Sequence, residues 1–346
     1  MERLSDLHRI LTGAGADIDE SGVVTGFGAP VAESRAARES AVVIPLTGAG
    51  LVRVAGLDAA TFLNSQLTSD VAAVSPECAQ YTGYCTPKGR LLATMLLFIH
   101  DDSFWLWLPA GLAADIAQRL QKFVLRAKVK IELASSELAM FAVTGPKAIA
   151  RLTEVVGAPL ARDFETRQVN GILLVTLPGN RYLISCPADQ ASPTWLRLSA
   201  RMRAAGWNWW QLQSIRTGIA TITSATQEAF IPQMLGLDTY GGVSFTKGCY
   251  PGQEIVARTR YLGDLKRNLY YGQCKQPLAA GDVILEAGAD SAAGVVTDAA
   301  ENFAHGWEFL AVLQRDAVNR KALLHTASGG VVTVLDRAGG AEKGER

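Results

Sequence analysis

The sequence predicts an α+β protein in which two ferredoxin-like βαββαβ domains are followed by a C-terminal antiparallel β-barrel. Residues 50–215 contain strand-like and helix-like runs in the order β-α-β-β-α-β, and this order occurs twice in succession. After residue 268 the pattern changes to short apolar runs separated by turn residues, which is typical of a small barrel. A length of 346 residues also exceeds what one ordinary core accommodates.

The first repeat begins with a short strand at Leu51–Val54 and a helix that Asp58 can cap. An extended segment at Tyr81–Cys85 leads into a turn rich in Pro and Gly, and the apolar run Leu91–Ile99 is short enough for a buried strand. Acidic turn residues then fold the chain back. The remaining predicted elements are a hairpin strand at 104–108, a helix at 110–126 and a strand at 129–133.

The second repeat has the same order of elements. It starts with a strand at Met140–Val143, and Pro146 is placed to open the helix that follows. Two further strands, Gly171–Leu177 and Arg181–Ser185, flank a Pro-Gly-Asn turn and therefore predict a hairpin. A helix that begins at Ser192 completes the unit. The two units share an order of elements and no convincing residue-level identity.

The C-terminal part predicts six short strands for the barrel. They are expected at 269–274, 283–285, 294–297, 309–313, 322–325 and 331–335. The full division is an N-terminal extension (1–44) that starts with an amphipathic helix, a first domain (45–135), a second domain (136–240), a motif segment (241–265), the barrel (266–338) and a disordered tail (339–346).

Composition and charge exclude several classes of protein. Apolar residues make up 49% and charged residues 19% of the chain, as in soluble globular proteins. The 33 Lys and Arg residues equal the 33 Asp and Glu residues, so the chain has no overall basic field, and we expect no direct binding to nucleic acid. The five cysteines include no C-x-x-C pair, so we predict no metal site and no disulfide scaffold.

Targeting signals are also missing from the sequence pattern. The N-terminal helix predicted at Met1–Leu11 lacks the unbroken apolar run of a signal peptide. No later stretch reaches membrane-spanning length. We therefore expect a cytoplasmic monomer with no membrane contact.

The strongest chemical signal is the segment 247–254, which reads K-G-C-Y-P-G-Q-E. Its glycines and proline predict a tight turn that displays the residues between them. Cys249 is the only nucleophile in that turn, and the nearby ammonium of Lys247 favours the thiolate, the reactive form of cysteine. A buried and inert cysteine is the alternative interpretation. Three polar residues that could hold a ligand follow at near-helical spacing: Gln253, Glu254 and Arg258.

Other signals are weaker. Three indoles within residues 207–210 could stack on a flat ring, although core packing is the favoured interpretation. The Gly48-Ala49-Gly50 run lacks the third glycine of a dinucleotide fingerprint. His305 is a candidate base for Cys249, but a histidine in a surface loop is the favoured interpretation.

The segment Phe230–Arg258, which contains the K-G-C-Y-P-G-Q-E turn, closely resembles the folate-binding YgfZ family. Members of this family are relatives of the glycine-cleavage T-protein, an aminomethyltransferase. Two segments of the N-terminal half agree, G-L-D-A-A-T-F-L at 56–63 and T-P-K-G-R at 86–90. The resemblance therefore spans residues 45–335.

This resemblance implies a ring of three lobes whose central opening holds tetrahydrofolate or a derivative. It also implies a role in the assembly or repair of iron–sulfur proteins, with iron–sulfur client or assembly proteins as partners and a link to tRNA modification. In that role Cys249 is the reactive residue, and Lys247 tunes its thiol or contacts an anionic group. The residues implied in binding the folate are Tyr250, Gln253, Glu254, Arg258, Arg216 and Trp209.

Two departures separate the chain from the T-protein itself. T-proteins carry an aspartate pair on the strand after the first glycine turn, whereas residues 89–95 read G-R-L-L-A-T-M and offer no carboxylate to polarise an amine. T-proteins also hold the pterin with a glutamate where this chain has Arg216, which cannot accept a hydrogen bond from the pterin amine. Aminomethyl transfer is therefore not expected.

Three interpretations of function stay open, and the sequence leaves undecided whether the protein is an enzyme. The favoured one is a folate-binding factor that supports iron–sulfur proteins through Cys249. The second is a folate-dependent one-carbon or aminomethyl transferase, or a demethylase, that uses another group in place of the missing carboxylate. The third is a non-enzymatic module that docks other proteins and keeps a vestigial folate site.

Overall fold

In a computed structural model, residues 4–157, 162–262, 265–289 and 291–338 are described. They form a small N-terminal hairpin, two mixed α/β units and a closed six-stranded barrel, so the predicted α+β class with a C-terminal barrel is confirmed. The tail predicted to be disordered, 339–346, lies outside these ranges, as do the first three residues of the predicted N-terminal helix. Within the described ranges no helix is both long and apolar enough to cross a membrane.

The N-terminal region packs on the second domain. Leu7 and Leu11, on one side of the first helix, share an apolar cluster with Trp195 of that domain. The last N-terminal strand, residues 42–45, pairs with the second sheet, with Val42 opposite Thr144. The elements are α1 (Ser5–Gly13), β1 (Asp17–Ile18), β2 (Val24–Gly26), α2 (Pro30–Glu39) and β3 (Val42–Pro45).

The first domain is a five-stranded antiparallel sheet with two helices. Asp101 and Asp102 adopt left-handed backbone angles, which suits the tight hairpin that the sequence predicts at this point. Asp58 precedes its helix as predicted, but its carboxylate accepts a hydrogen bond from the Lys128 backbone N–H and does not cap the helix. The elements are β4 (Ala49–Ala55), α3 (Ala59–Gln66), β5 (Gln80–Cys85), β6 (Leu91–His100), β7 (Ser103–Pro109), α4 (Ala110–Gln121) and β8 (Lys130–Leu133), with the sheet order β5-β6-β7-β4-β8.

The second domain repeats the arrangement with β3 added to its sheet. Gly179 and Asn180 take left-handed angles in the predicted hairpin turn. The sheet has the order β10-β11-β12-β9-β3-β13, and only the β3–β13 pair is parallel. The elements are β9 (Leu138–Thr144), α5 (Ala148–Val156), β10 (Thr166–Val169), β11 (Ile172–Leu177), β12 (Arg181–Pro187), α6 (Ala191–Ser199) and β13 (Arg203–Ala204).

A connecting segment leads from the second domain to the barrel. It contains α7 (Trp207–Arg216), a short 3₁₀ turn at Pro232–Leu235 and α8 (Gln253–Leu262). The barrel closes in the order β14-β17-β16-β15-β18-β19. Its elements are β14 (Arg267–Cys274), β15 (Val283–Glu286), β16 (Ala292–Asn302), β17 (Gly306–Gln314), α9 (Arg315–Asn319), β18 (Leu324–Thr326) and β19 (Val331–Arg337).

Helix α7 lies at the centre of the molecule, where it contacts β2 and β3 on one side and the barrel strands β16 and β17 on another. One apolar cluster includes the first sheet, α7, part of the second sheet and part of the barrel. Burial of this shared surface holds the lobes around a central space, because apolar area removed from water stabilises the packing of one lobe on the next.

Candidate functional site

A cavity of about 490 Å³ lies where the first sheet, helix α7 and the barrel meet. Strands β6 and β7 form one wall, α7 forms the second, and the irregular chain at 219–223 forms the third. The volume is within the range of ordinary small-molecule sites, which are concave and mostly apolar with a few polar groups. The cavity is therefore the first candidate for a ligand site.

Aromatic side chains line much of this cavity. The rings of Trp107 and Trp210 meet edge to face, with centroids 5.7 Å apart. Trp207, Tyr81 and Tyr240 complete the aromatic part of the lining. Such walls favour a flat ring system, since aromatic groups stack or meet edge to face with one another.

The structure places Trp209, a predicted folate contact, in the apolar core. This indole is only 2% exposed, packs against Phe303 with centroids 6.1 Å apart, and does not line the cavity. Helical periodicity explains why Trp209 points away from the cavity, and it is the signal from which the lining residues of α7 could have been predicted. The side of α7 that faces the cavity carries positions i, i+3, i+4 and i+7, which are Trp207, Trp210, Gln211 and Ser214.

Strand β6 faces the cavity with Thr94 and Met95 and offers no carboxylate there, as the sequence indicates. The Thr94 hydroxyl accepts a hydrogen bond from the Ile222 backbone N–H at 3.0 Å. A carboxylate reaches the cavity from a different strand, because Asp298 of β16 lines it. Sequence reasoning missed Asp298, although an acidic residue inside the apolar strand G-V-V-T-D-A-A is an unusual pattern.

A bulge in β16 accounts for the position of Asp298. The pairing with β17 shifts between Val296 and Asp298, and one extra residue at such a point re-aims the side chains that follow. One carboxylate oxygen of Asp298 accepts the Thr221 N–H at 3.0 Å. Burial raises the pKa of Asp298 to about 6, and the hydrogen bonds from Thr221 and Thr297 oppose this rise.

Arg216 lies outside the cavity lining and forms an ion pair with the barrel, and its contact with folate stays a prediction. Its Nε and Nη2 atoms donate to the two carboxylate oxygens of Glu308 at 2.8 and 2.6 Å. Glu308 is 2% exposed and also accepts from Tyr271 and Asn302. Burial opposes ionisation of Glu308, but the hydrogen bonds and charge of Arg216 hold its pKa below the ordinary value. This pair ties the end of α7 to the barrel.

The motif turn 247–254 packs directly on the glycine turn of the first domain. Gly252 has a φ of 81°, and a Cβ added there would lie 2.5 Å from the Cα of Gly89 and 2.6 Å from the carbonyl oxygen of Thr86. Only glycine fits at such a distance from another backbone. Two of the three segments that carry the family resemblance, 86–90 and 230–258, are therefore in contact, which the sequence did not predict.

Lys247 anchors the turn to the end of helix α3. Its ammonium donates to the backbone carbonyl oxygens of Asn64 and Leu67, the second at 2.6 Å. A cation is favourable there because the last carbonyls of a helix carry partial negative charge. Burial lowers the pKa of Lys247 to about 8, and the nearby Asp70 carboxylate opposes that shift. The predicted influence of Lys247 on the Cys249 thiol stays a prediction.

Cys249 and Tyr250 differ sharply in exposure although they are neighbours. Cys249 is exposed, which removes the buried and inert alternative for this cysteine. Tyr250 is buried beneath the Lys247 ammonium, whose Nζ lies 5.0 Å from the ring centroid, and burial raises the pKa of its hydroxyl. Tyr250 thus anchors the turn while Cys249 faces solvent. His305, in the β16–β17 hairpin, is exposed as the surface-loop interpretation expects.

The polar residues after the turn are on helix α8, which confirms their near-helical spacing. Gln253 starts the helix and its side chain approaches the Lys247 carbonyl oxygen at 3.5 Å. Glu254 and Arg258 are exposed and lie one turn apart on the same side. None of the three lines the central cavity. Their role in binding a ligand stays a prediction.

Comparison with known proteins identifies the family. The GCVT N-terminal domain family matches residues 25–177. A tRNA-modifying protein YgfZ from Edwardsiella ictaluri (strain 93-146) is 32% identical over 276 residues, which cover 77% of this chain and 82% of the relative. The chain belongs to the YgfZ family. A second YgfZ protein, from Yersinia pestis (strain Pestoides F), is 31% identical over 243 residues, 69% of this chain and 73% of the relative.

The YgfZ-family chain also has the fold of a solved T-protein. The crystal structure of glycine cleavage system aminomethyltransferase T from Bartonella henselae aligns with a TM-score of 0.79 and covers 96% of both chains at 17% identity. The family and the T-protein-like fold implied by the motif resemblance are thereby confirmed. Two features of this YgfZ-family protein can carry chemistry, an aromatic cavity with one buried carboxylate and a fixed turn with an exposed thiol.

Proposed function

We propose that this protein binds a folate in the central cavity and supports iron–sulfur proteins through Cys249. The aromatic cavity on a T-protein-like fold is the observation that carries the folate part of the proposal. A pterin is flat and could pack against the aromatic wall to which Trp107 and Trp210 belong, and bound tetrahydrofolate would supply a carrier of one-carbon groups. The residues present therefore fit the group.

The motif turn supports a role for Cys249. The contact of Gly252 with Gly89 and the bonds of Lys247 to α3 hold the turn in place, so the thiol is presented at a defined position. Thiolates are the usual ligands of iron–sulfur clusters. The turn has a single cysteine, so we propose that it acts together with sulfur or cysteine groups of a client or assembly protein and does not hold a cluster alone.

A role in tRNA modification is part of the proposal because the curated relatives are named for it. The formal net charge of zero provides no general attraction to a phosphate backbone. We therefore propose an indirect effect on tRNA, through proteins that the chain supports. The cytoplasm is the compartment that this role favours.

One observation keeps a folate-linked one-carbon transferase as a second candidate. Asp298 places a carboxylate in the cavity from the barrel, where strand β6 has none. A carboxylate beside a folate nitrogen could hold or accept a proton during transfer. Formation of a one-carbon folate product from an N-methyl or aminomethyl donor would establish this function.

The first test is an anaerobic titration with tetrahydrofolate, followed through tryptophan fluorescence. Three of the seven tryptophans line the cavity, so we expect saturable quenching. Cys249→Ala should bind folate normally, since Cys249 lies outside the lining. Absence of saturable binding at millimolar concentration would refute the folate proposal.

The second test addresses the thiol in cells. Cys249→Ala should abolish the support of iron–sulfur enzyme activity in a strain that depends on this protein. Cys78→Ala is the matched control, because Cys78 is also exposed and lies outside the motif. Full support of iron–sulfur enzymes by Cys249→Ala would eliminate the proposed role of the thiol.

A further inference from the structure

The carboxylate of Asp298 is the feature of the cavity that the packing alone does not explain. Among the residues that the structure describes, the lining contains no Lys, Arg or His. Its other acid, Asp19, is exposed, and its carboxylate already accepts hydrogen bonds from the Ser21 hydroxyl and from the backbone N–H groups of Ser21 and Val23. Asp298 is 8% exposed. Within the described lining, Asp298 is therefore the one enclosed carboxylate, and no lining residue carries a matching positive charge.

A buried carboxylate without a counter-charge is unfavourable unless hydrogen-bond donors surround it. In the described part of the chain, Asp298 is stabilised by Thr221 and Thr297 and by no charged group. The contact with the Thr221 N–H uses one carboxylate oxygen. The carboxylate of Asp298 can therefore accept further hydrogen bonds at the wall of the cavity. A ligand with N–H donors would supply them.

The chemistry of the wall restricts which donors fit. Flat aromatic rings flank the space, so the donors belong to a planar ring system. A carboxylate accepts two parallel hydrogen bonds from adjacent N–H groups, as it does from a guanidinium. A ring N–H next to an exocyclic amino group presents this pattern. Trp107 adds a donor, because its buried Nε1 has no hydrogen-bond partner among the described residues and could serve a ring carbonyl.

We propose that Asp298 binds the 2-amino-4-oxopyrimidine edge of the cavity ligand through its ring N–H and amino group. This assignment rests on the proposed folate function, because tetrahydrofolate carries that edge. Asp298 would thus provide the carboxylate that this chain lacks on strand β6 and at Arg216, the two places where T-proteins carry one. Guanine nucleosides present the same edge, so a binding test has to include both kinds of ligand.

The test combines a change in the protein with a change in the ligand. Asp298→Asn removes the charge but keeps an oxygen that can accept the Thr221 N–H. We expect it to weaken tetrahydrofolate binding about 10- to 100-fold, the effect of losing hydrogen bonds to a charged group. Asp115→Asn is the matched control, and we expect its affinity to change less than about twofold, because Asp115 is exposed on α4 and lies outside the cavity lining.

The ligand arm uses a folate analogue in which a methyl group replaces the 2-amino group. The unaltered protein should discriminate against the analogue about as strongly as Asp298→Asn weakens tetrahydrofolate binding. The Asp298→Asn variant should bind both ligands with nearly equal affinity, because removal of the Asp298 charge and removal of the 2-amino group abolish the same interaction. If the variant does not fold, the discrimination by the unaltered protein still tests the assignment.

The outcomes separate this inference from the proposed function. Equal tetrahydrofolate binding by Asp298→Asn and the unaltered protein, or no discrimination against the analogue, overturns the role of Asp298 and leaves the folate proposal standing. No binding of tetrahydrofolate or guanosine to the unaltered protein overturns both. Binding of guanosine in preference to tetrahydrofolate, lost in Asp298→Asn, supports the role of Asp298 and overturns the folate proposal.

Discussion

Replacing Gly252 with alanine tests how the motif turn is held. The new Cβ would lie 2.5 Å from the Cα of Gly89, and this neighbour is backbone that cannot rotate away. A residue with a side chain at a φ of 81° costs about 1 kcal/mol or more, and overpacking adds about 1–3 kcal/mol. We therefore expect Gly252→Ala to lower the free energy of unfolding by about 2–4 kcal/mol.

Urea unfolding followed by circular dichroism and tryptophan fluorescence measures this loss. A chain of three lobes need not unfold in one step, so the midpoint of the first transition is the quantity to compare. Gly248→Ala is the matched control in the same turn. No atom lies within 4 Å of the Cβ that would be added there, and its φ lies outside the left-handed region. We expect its effect to stay within about 0.5 kcal/mol.

The contact also positions Cys249, so Gly252→Ala should change the rate at which Cys249 reacts with an alkylating reagent. Equal first midpoints for Gly252→Ala and Gly248→Ala would refute the close packing of the two glycine turns. Retention of the native alkylation rate would show that the thiol does not depend on this contact.

Two further predictions follow from the ion pair and from the cysteines. Arg216→Met should lower the free energy of unfolding by about 3–5 kcal/mol, because it leaves the Glu308 carboxylate buried without its partner. Adding Glu308→Gln should recover most of that loss in urea unfolding, and no recovery would contradict the ion pair. In native protein, iodoacetamide should modify Cys249 and Cys78, which are exposed, as mass spectrometry can show. The remaining cysteines, Cys85, Cys186 and Cys274, are buried, and early modification of any of them would contradict that burial. Burial also raises the pKa of Cys85 to about 12 and that of Cys186 to about 11.

Local features of the chain were predictable from the sequence. The strands of the barrel and the hairpin at Asp101–Asp102 follow from apolar periodicity and turn chemistry, which act over a few residues. The near-helical spacing of Gln253, Glu254 and Arg258 was read correctly for the same reason. The mixed composition of the K-G-C-Y-P-G-Q-E turn was sufficient to indicate the family, which the comparisons confirm.

Features that join distant segments were not predictable. The acceptors of the Lys247 ammonium lie about 180 residues earlier, at Asn64 and Leu67. Arg216 meets Glu308 across a separation of 92 residues, a contact that the sequence did not predict. Each contact depends on how one lobe packs on another, and a single sequence carries no periodic signal for such packing.

Local sequence patterns were sufficient to predict the α+β class, the barrel, the family and the displayed cysteine. The packing of the lobes was needed to show that Trp210 and not Trp209 faces the cavity, and that Asp298 supplies its enclosed carboxylate. The physical reason is the range of the interactions. Backbone propensity and turn geometry are set by neighbours in the chain, whereas the lining of a cavity is set by the burial of surfaces from several lobes at once.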